Sequence, residues 1–228
     1  EVPVGESIVV VDEKPASSGF KSLSEALSFS GSVICEFSDK ESNTQGTVYA
    51  KNGKMYTEYT LQGKKAYTIF DKVYMYVWGE FSPQAVKINV KEMEALVAKS
   101  PQAGQGQVYT SEQWAAQNDG AQVSCTQSTV ADSKFVAPSN VQFTDLTAML
   151  KQAQMLLETE GITIDFTKDA IVEMAHLAAA ANQSMQDIGA RRLHTIVEKV
   201  LEDISFQAPD LAPAKVPINA KYVKEKLK

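Results

Sequence analysis

From Leu193 onward, apolar residues recur at Leu193, Ile196, Val197, Val200, Leu201 and Ile204. This is the i, i+3, i+4, i+7, i+8, i+11 series that a helix gathers into one continuous stripe. As a strand the same segment would scatter those side chains over both faces, because its period is two. The stripe therefore demands a helix and a partner layer to cover it. Just ahead of it stand Arg191 and Arg192, the only arginines in 228 residues. At about 100° per residue, Arg191 projects opposite the stripe and Arg192 lies on its flank. A cation in the first helical turn opposes the helix dipole, which favours anions there.

The N-terminal half is patterned differently. Val33, Cys35 and Phe37 alternate with Ile34, Glu36 and Ser38, as a half-buried strand requires. A second strand over 46–51 meets Asn52-Gly53, whose tolerance of positive φ suits a type I′ hairpin. Strands over 55–61, 66–70, 73–78 and 85–90 follow, with Gln62-Gly63 as a further turn. This spacing predicts a curved antiparallel sheet or half-barrel. Residues 91–99 and 111–117 read as short helices around a loop at 100–107. Val123-Ser-Cys-Thr126 reads as a late strand able to meet the strand that holds Cys35.

Both tryptophans and both cysteines precede residue 150, whereas both arginines and both histidines follow it. That shift predicts two domains in an α+β chain, 1–145 and 146–228. They are joined by an amphipathic helix over 146–158 rather than by a flexible linker. Its stripe is Leu146, Met149, Leu150, Ala153, Leu156 and Leu157, with Thr144 or Asp145 as the cap and Gly161 after its end. Leu156 and Leu157 are both expected to pack into the second domain. There a strand over 162–166, a helix over 170–182, the striped helix and a strand over 215–219 follow. The last strand pairs with the first, and Pro209, Pro213 and Pro217 restrict the return loop and mark an edge.

A net charge of −6 argues against a nucleic-acid partner. No apolar run reaches the roughly 20 residues of a membrane-spanning helix. A start at Glu1 rather than Met suggests a processed or trimmed chain, with any targeting signal out of view. His176 lies beside a helical stripe and reads as a packing residue. Two histidines without cysteines or paired acids nearby make no metal site.

Gly189-Ala-Arg-Arg-Leu-His-Thr195 resembles the second sensor motif in the C-terminal lid of HslU, a bacterial AAA+ unfoldase that partners a peptidase. The likeness extends through Leu156-Leu-Glu-Thr-Glu-Gly-Ile-Thr-Ile-Asp-Phe-Thr167, Ile204-Ser-Phe-Gln-Ala-Pro-Asp210 and Val216-Pro-Ile-Asn-Ala-Lys-Tyr-Val223. The resemblance implies a small helical lid-type domain with a two-stranded edge. It implies that Arg191 reaches the terminal phosphates of a nucleotide; from their positions beside it, Arg192 and His194 are candidate anion contacts, His194 otherwise reading as solvent-exposed. It also implies an AAA+ core or HslU-type ring as partner. The chain departs from that family in lacking a Gly-x-x-x-x-Gly-Lys-Ser/Thr loop. Gly104-Gln-Gly106 has no lysine, and Gly53-Lys54 has no first glycine at the right distance. No catalysis and no cofactor are expected of the chain alone.

Gly46-Thr-Val-Tyr49, Gly53-Lys-Met55, Val73-Tyr-Met-Tyr-Val-Trp78 and Phe135-Val-Ala-Pro-Ser-Asn-Val-Gln-Phe143 are similar to small secreted lipoproteins of bacteria and to LolA-type half-barrels. That likeness implies an extracytoplasmic chain, lipid-anchored before trimming, whereas the HslU-like part implies the cytoplasm. Tyr74, Tyr76 and Trp78 can line the mouth of a half-barrel that accepts an apolar ligand, or simply pack across strands. Cys35 and Cys125 can form a disulfide, an expectation strengthened by the secreted likeness and the even cysteine count. Two buried free thiols are the alternative. Three functional expectations follow: a non-catalytic chain carrying an HslU-type lid, an extracytoplasmic carrier, or an artificial or assembly-derived fusion without joint function.

Overall fold

Asn52 and Gly53 have φ of 51° and 73°, the two positive angles of the I′ turn that their identities call for. That turn joins β2 (Thr44–Lys51) to β3 (Lys54–Leu61) within a run of six sequential strands. The computed structural model describes residues 20, 25–26, 28–39, 43–61, 63–80, 82–98, 122–167, 169–171, 173–174 and 191–227. The loop at 100–107, the helix at 111–117, His176 and most of the helix at 170–182 lie outside them.

The remaining strands of the meander are β1 (Ser32–Asp39), β4 (Lys64–Phe70), β5 (Tyr74–Gly79) and β6 (Ser82–Asn89). β6 runs into α1 (Val90–Ala98). Then β7 (Gln122–Gln127) pairs antiparallel with β1, at one edge of the sheet. β8 (Phe143–Asp145) pairs parallel with β6 at the other edge, giving the order β7-β1-β2-β3-β4-β5-β6-β8. Where the strands approach closely, only glycine fits. A Cβ on Gly46 would stand 2.4 Å from the Glu58 carbonyl oxygen, and one on Gly79 2.4 Å from that of Lys65.

Register assigns the two faces. Val33, Cys35 and Phe37 are buried opposite Ala50, Val48 and Gly46. They form a small core with Met55, Ala26 and the rings of Phe20 and Phe29. The same face continues through Thr57, Thr68, Val77 and Val86. At that end Val86 and Ile88 pack against a larger core. The other face carries a rung of Tyr49, Tyr56, Ile69, Tyr76 and Lys87, and beside it one of Thr47, Glu58, Tyr67 and Trp78.

Asp145 caps α2 (Leu146–Thr159), its Oδ1 accepting the Ala148 N–H at 3.0 Å. β9 (Ile162–Phe166) follows, then helical residues at 169–171 and 173–174, then α3 (Arg191–Leu211). β10 (Ala214–Ile218) pairs with β9 in parallel, as an isolated two-stranded edge. In α3, Leu193, Ile196, Val197, Val200, Leu201 and Ile204 are all buried, and Ala208 extends the stripe. The core they enter also holds Met93, Leu96 and Val97 of α1 and Leu146, Leu150 and Leu157 of α2. It therefore draws on both sides of residue 145.

Several expectations need correction. Leu156 does not pack inward; it is 65% exposed, while Leu157 is buried. The buried line of α2 is Leu146, Thr147, Leu150, Gln154 and Leu157, and Leu156 stands about 100° off it. Pro209 lies within α3, not in the return loop, because that helix runs on past Ile204 to Leu211. A final helix, α4 (Ala220–Lys226), also follows β10. Asn219 caps it through the Tyr222 N–H at 2.9 Å, and Val223 is its buried anchor.

Candidate functional site

The amino end of α3 carries the arginine pair, and its backbone is held by the sheet. Gln84 of β6 is 4% exposed. Its Oε1 accepts the Leu193 N–H at 3.1 Å, and its Nε2 donates to Thr144 Oγ1 at 3.1 Å. The first N–H groups of a helix lack partners within it, so this side chain satisfies one of them from 109 residues away. Arg191 and Arg192 open the helix, and their side chains lie outside the described residues. His194 is exposed and engages Glu198 one turn on, Nδ1 to Oε1 at 3.0 Å. Glu202 pairs with Lys199, and Asp203 with Lys226 of α4. The Lys226 ammonium holds the Asp203 carboxyl below its ordinary range, by hydrogen bond and by charge.

Two further ties fix the platform beneath α3. Gln154 Nε2 donates to the Ile164 carbonyl at 2.8 Å, and Thr167 Oγ1 to the Ile218 carbonyl at 3.0 Å. Asp165, 1% exposed, faces the Lys215 ammonium at 2.7 Å in an ion pair whose geometry falls short of a hydrogen bond. The β9 alternation of Ile162, Ile164 and Phe166 gave no sign of that buried carboxylate.

Tyr74, Tyr76 and Trp78 share the second face of the sheet and belong to a band of rings. Trp78 stacks on Tyr67 with centroids 5.4 Å apart, and Phe143 of β8 meets Tyr76 and Trp78 edge-on at 5.2 and 5.7 Å. Such pairs contribute on the order of 1 kcal/mol beyond burial. Residues 128–142 cross this face from one sheet edge to the other. Lys51 anchors them through Asp132 at 3.1 Å and the Val130 carbonyl at 3.0 Å. Lys134 places its ammonium 4.2 and 4.6 Å from the Tyr49 and Tyr56 ring centres. Phe135, on the same strap, is buried. Both phenols donate to Glu58, at 2.9 and 3.1 Å. Burial first, and the Glu58 carboxylate second, push the Tyr56 phenol well above its ordinary value. The three sequence-singled rings are thus packed across strands. An open groove of about 780 Å³ lies at one end of the strands, with Glu36, Thr47, Glu58, Thr60 and Tyr67 among its lining.

Cys35 and Cys125 stand directly opposite each other in β1 and β7 and are joined as a disulfide, Cα to Cα 4.0 Å. Among the described residues no group of His, Cys, Asp or Glu could hold a metal, and no helix is long and apolar enough to cross a membrane. Gln84, Lys134 and Phe143 were missed as positioning residues. The one signal in the sequence was a glutamine beside the apolar Ala85 and Val86.

Comparison with known proteins bears on about two fifths of the chain or less. Over 80 residues the chain is 59% identical to the ATP-dependent protease ATPase subunit HslU of Pseudothermotoga lettingae, covering 35% of this chain and 17% of that protein. The ATP-dependent protease ATPase subunit ClpY of Bacillus subtilis is 54% identical over 80 residues, with the same coverage. HslU of Oceanobacillus iheyensis is 48% identical over 101 residues, 43% of this chain and 20% of that protein. The chain therefore contains an HslU-related region and spans about a fifth or less of the length of these curated relatives. No family model matches the chain.

Proposed function

We propose that this is a non-catalytic two-domain chain whose C-terminal part acts as an HslU-type lid. It senses nucleotide for, and assembles with, a separate ATPase core. The observation that carries the reading is the HslU-related region itself, 59% identical over 80 residues to a subunit named as a protease ATPase. The fold supports it, because the striped helix has its partner layer in α2 and its amino terminus is clamped by Gln84. The absence of a phosphate-cradling Gly-Lys loop from these 228 residues supports a role without hydrolysis. Arg191 is the proposed phosphate contact, since guanidinium–phosphate bonds are charge-assisted and can be bidentate. The test is association of the purified chain with HslU rings in the presence of ATP analogue or ADP. Binding should depend on nucleotide and weaken about tenfold in Arg191→Ala, a loss of about 1.4 kcal/mol. No association in either nucleotide state overturns the proposal.

A second reading has one specific observation in its favour. The Cys35–Cys125 disulfide fits an oxidising compartment, which suits an extracytoplasmic binding protein that uses the β-rich part for an apolar ligand. Intact mass after thiol alkylation of the native protein, with and without reduction, separates the two. Free thiols remove this second reading.

A further inference from the structure

We infer that the groove between α2 and α3 is a docking surface for an amphipathic helix with an apolar face and lysine- or arginine-rich flanks, supplied by another polypeptide. It rests on the assembly reading only for who supplies that helix, not for the surface. The groove encloses about 770 Å³. Its floor is Ala153, Leu157, Val197 and Leu201, of which the last three belong to the buried core. On its lips stand Leu156 and Phe206, 65% and 86% exposed. Large apolar side chains left in water next to a core-lined groove are what a helix-in-groove interface needs as anchors. The α3 wall runs from His194 to Phe206, about 18 Å, or about three turns of a docked helix.

Charge selects the occupant. Glu198 and Glu202 line one wall, one turn apart, Glu198 beside His194 and Glu202 beside Lys199, so the carboxylates of this wall still outnumber its lysine. Glu158 and Glu160 are exposed at the carboxyl end of α2, whose last turn holds no basic residue to offset the dipole. Among the described lining residues the lysine is Lys199, and its ammonium is already tied to Glu202. A second copy of the chain would set acid against acid, in molecules of net charge −6. A basic-flanked helix instead meets the rim with complementary charge while its apolar face covers Leu156 and Phe206.

The experiment uses the whole chain and two fluorescent model helices of about 15 residues, the length that fits about four turns. They share one leucine pattern and differ in having lysine or glutamate at every polar position. Fluorescence anisotropy should show saturable binding of the lysine peptide and at least about tenfold weaker binding of the glutamate peptide, a difference of about 1.4 kcal/mol. Leu156→Ala with Phe206→Ala should weaken the lysine peptide about tenfold. Glu198→Lys with Glu202→Lys should reverse the preference. Both changes are on exposed side chains, so the fold is left intact. Unchanged binding in either double variant overturns the inference, as does a dimer of the chain that Phe206→Ala dissociates. Should the chain fail to join HslU rings while it still binds the lysine peptide in this pattern, the assembly reading falls and the docking surface stands. Should it join rings equally well with Leu156 and Phe206 replaced while that double variant no longer binds the lysine peptide, both readings stand and the helix comes from a polypeptide other than the ring. Should the peptide also bind unchanged, the docking surface falls and the assembly reading stands.

Discussion

The side-chain oxygen of Gln84 accepts the backbone N–H of Leu193 at 3.1 Å, inside the molecule and across 109 residues of sequence. This bond ties the β-rich half to the helix that begins with the arginine pair. Replacing Gln84 by Ala leaves a buried helix N–H without its acceptor. The expected loss is about 1–3 kcal/mol of stability, measured as a shift in urea midpoint. Thr144→Val removes only the far end of the same relay and should cost about 1 kcal/mol. Equal, negligible effects from both would mean the clamp contributes nothing.

The disulfide closes a loop of 90 residues. Loop-closure entropy puts its contribution at roughly 4–5 kcal/mol. The Cys35→Ala, Cys125→Ala chain should therefore unfold at a much lower denaturant concentration. Both cysteines are buried, with Cys35 wholly so. Dithiothreitol should then reduce the bond only as fast as the chain unfolds, as followed by timed alkylation and mass measurement.

The strap over the aromatic face should show two separate strengths. Phe135→Ala empties a buried site and should cost about 3–5 kcal/mol. Lys134→Met keeps the chain's apolar stem but removes the cation from the Tyr49 and Tyr56 faces, for about 0.5–1 kcal/mol. Thermal denaturation of the two variants should order them that way. A Lys134 variant less stable than the Phe135 variant would contradict the packing described.

Alkaline pH should weaken the fold through Tyr56. Its phenol is held above the ordinary value of 10.0 by burial and by Glu58. Above that ordinary value the unfolded chain releases the proton while the folded chain keeps it. The contribution to stability is therefore whole below about pH 10 and is lost as pH rises beyond it. Tyr56→Phe should flatten the alkaline fall in urea midpoint between about pH 9 and 11. An unchanged slope would show that Tyr56 titrates normally.

What could be read from the residues was what depends on neighbours in the chain. Asn52-Gly53 fixed its hairpin because the required angles are local. The α3 stripe declared its buried face because six residues share one period. The Cys35–Cys125 pairing was foreseen only as one of two options, since strand order is not written in spacing. β8 and α4 escaped notice because they are three and seven residues long. They hold through partners outside themselves, β6 for one and α3 for the other. Leu156 was misread because its neighbour Leu157 is the one on the buried line. Gln84 gave too little signal because its partner, a backbone N–H, has no side-chain identity to search for.

The strand order has a further consequence. β1 to β6 lie side by side in the order in which they leave the ribosome, whereas β7 and β8, the two rims, come last. Each hairpin of the meander needs only its immediate predecessor, so the sheet grows by short-range closures. The outermost strands are added only when residues 122–145 arrive, and that late segment brings Cys125, the strap and Phe143 together. Until then the aromatic band is bare, and the sheet has two open margins on which another nascent chain could pair. A polypeptide arrested before residue 122 should therefore be an aggregation-prone form of this protein, more so than the whole chain.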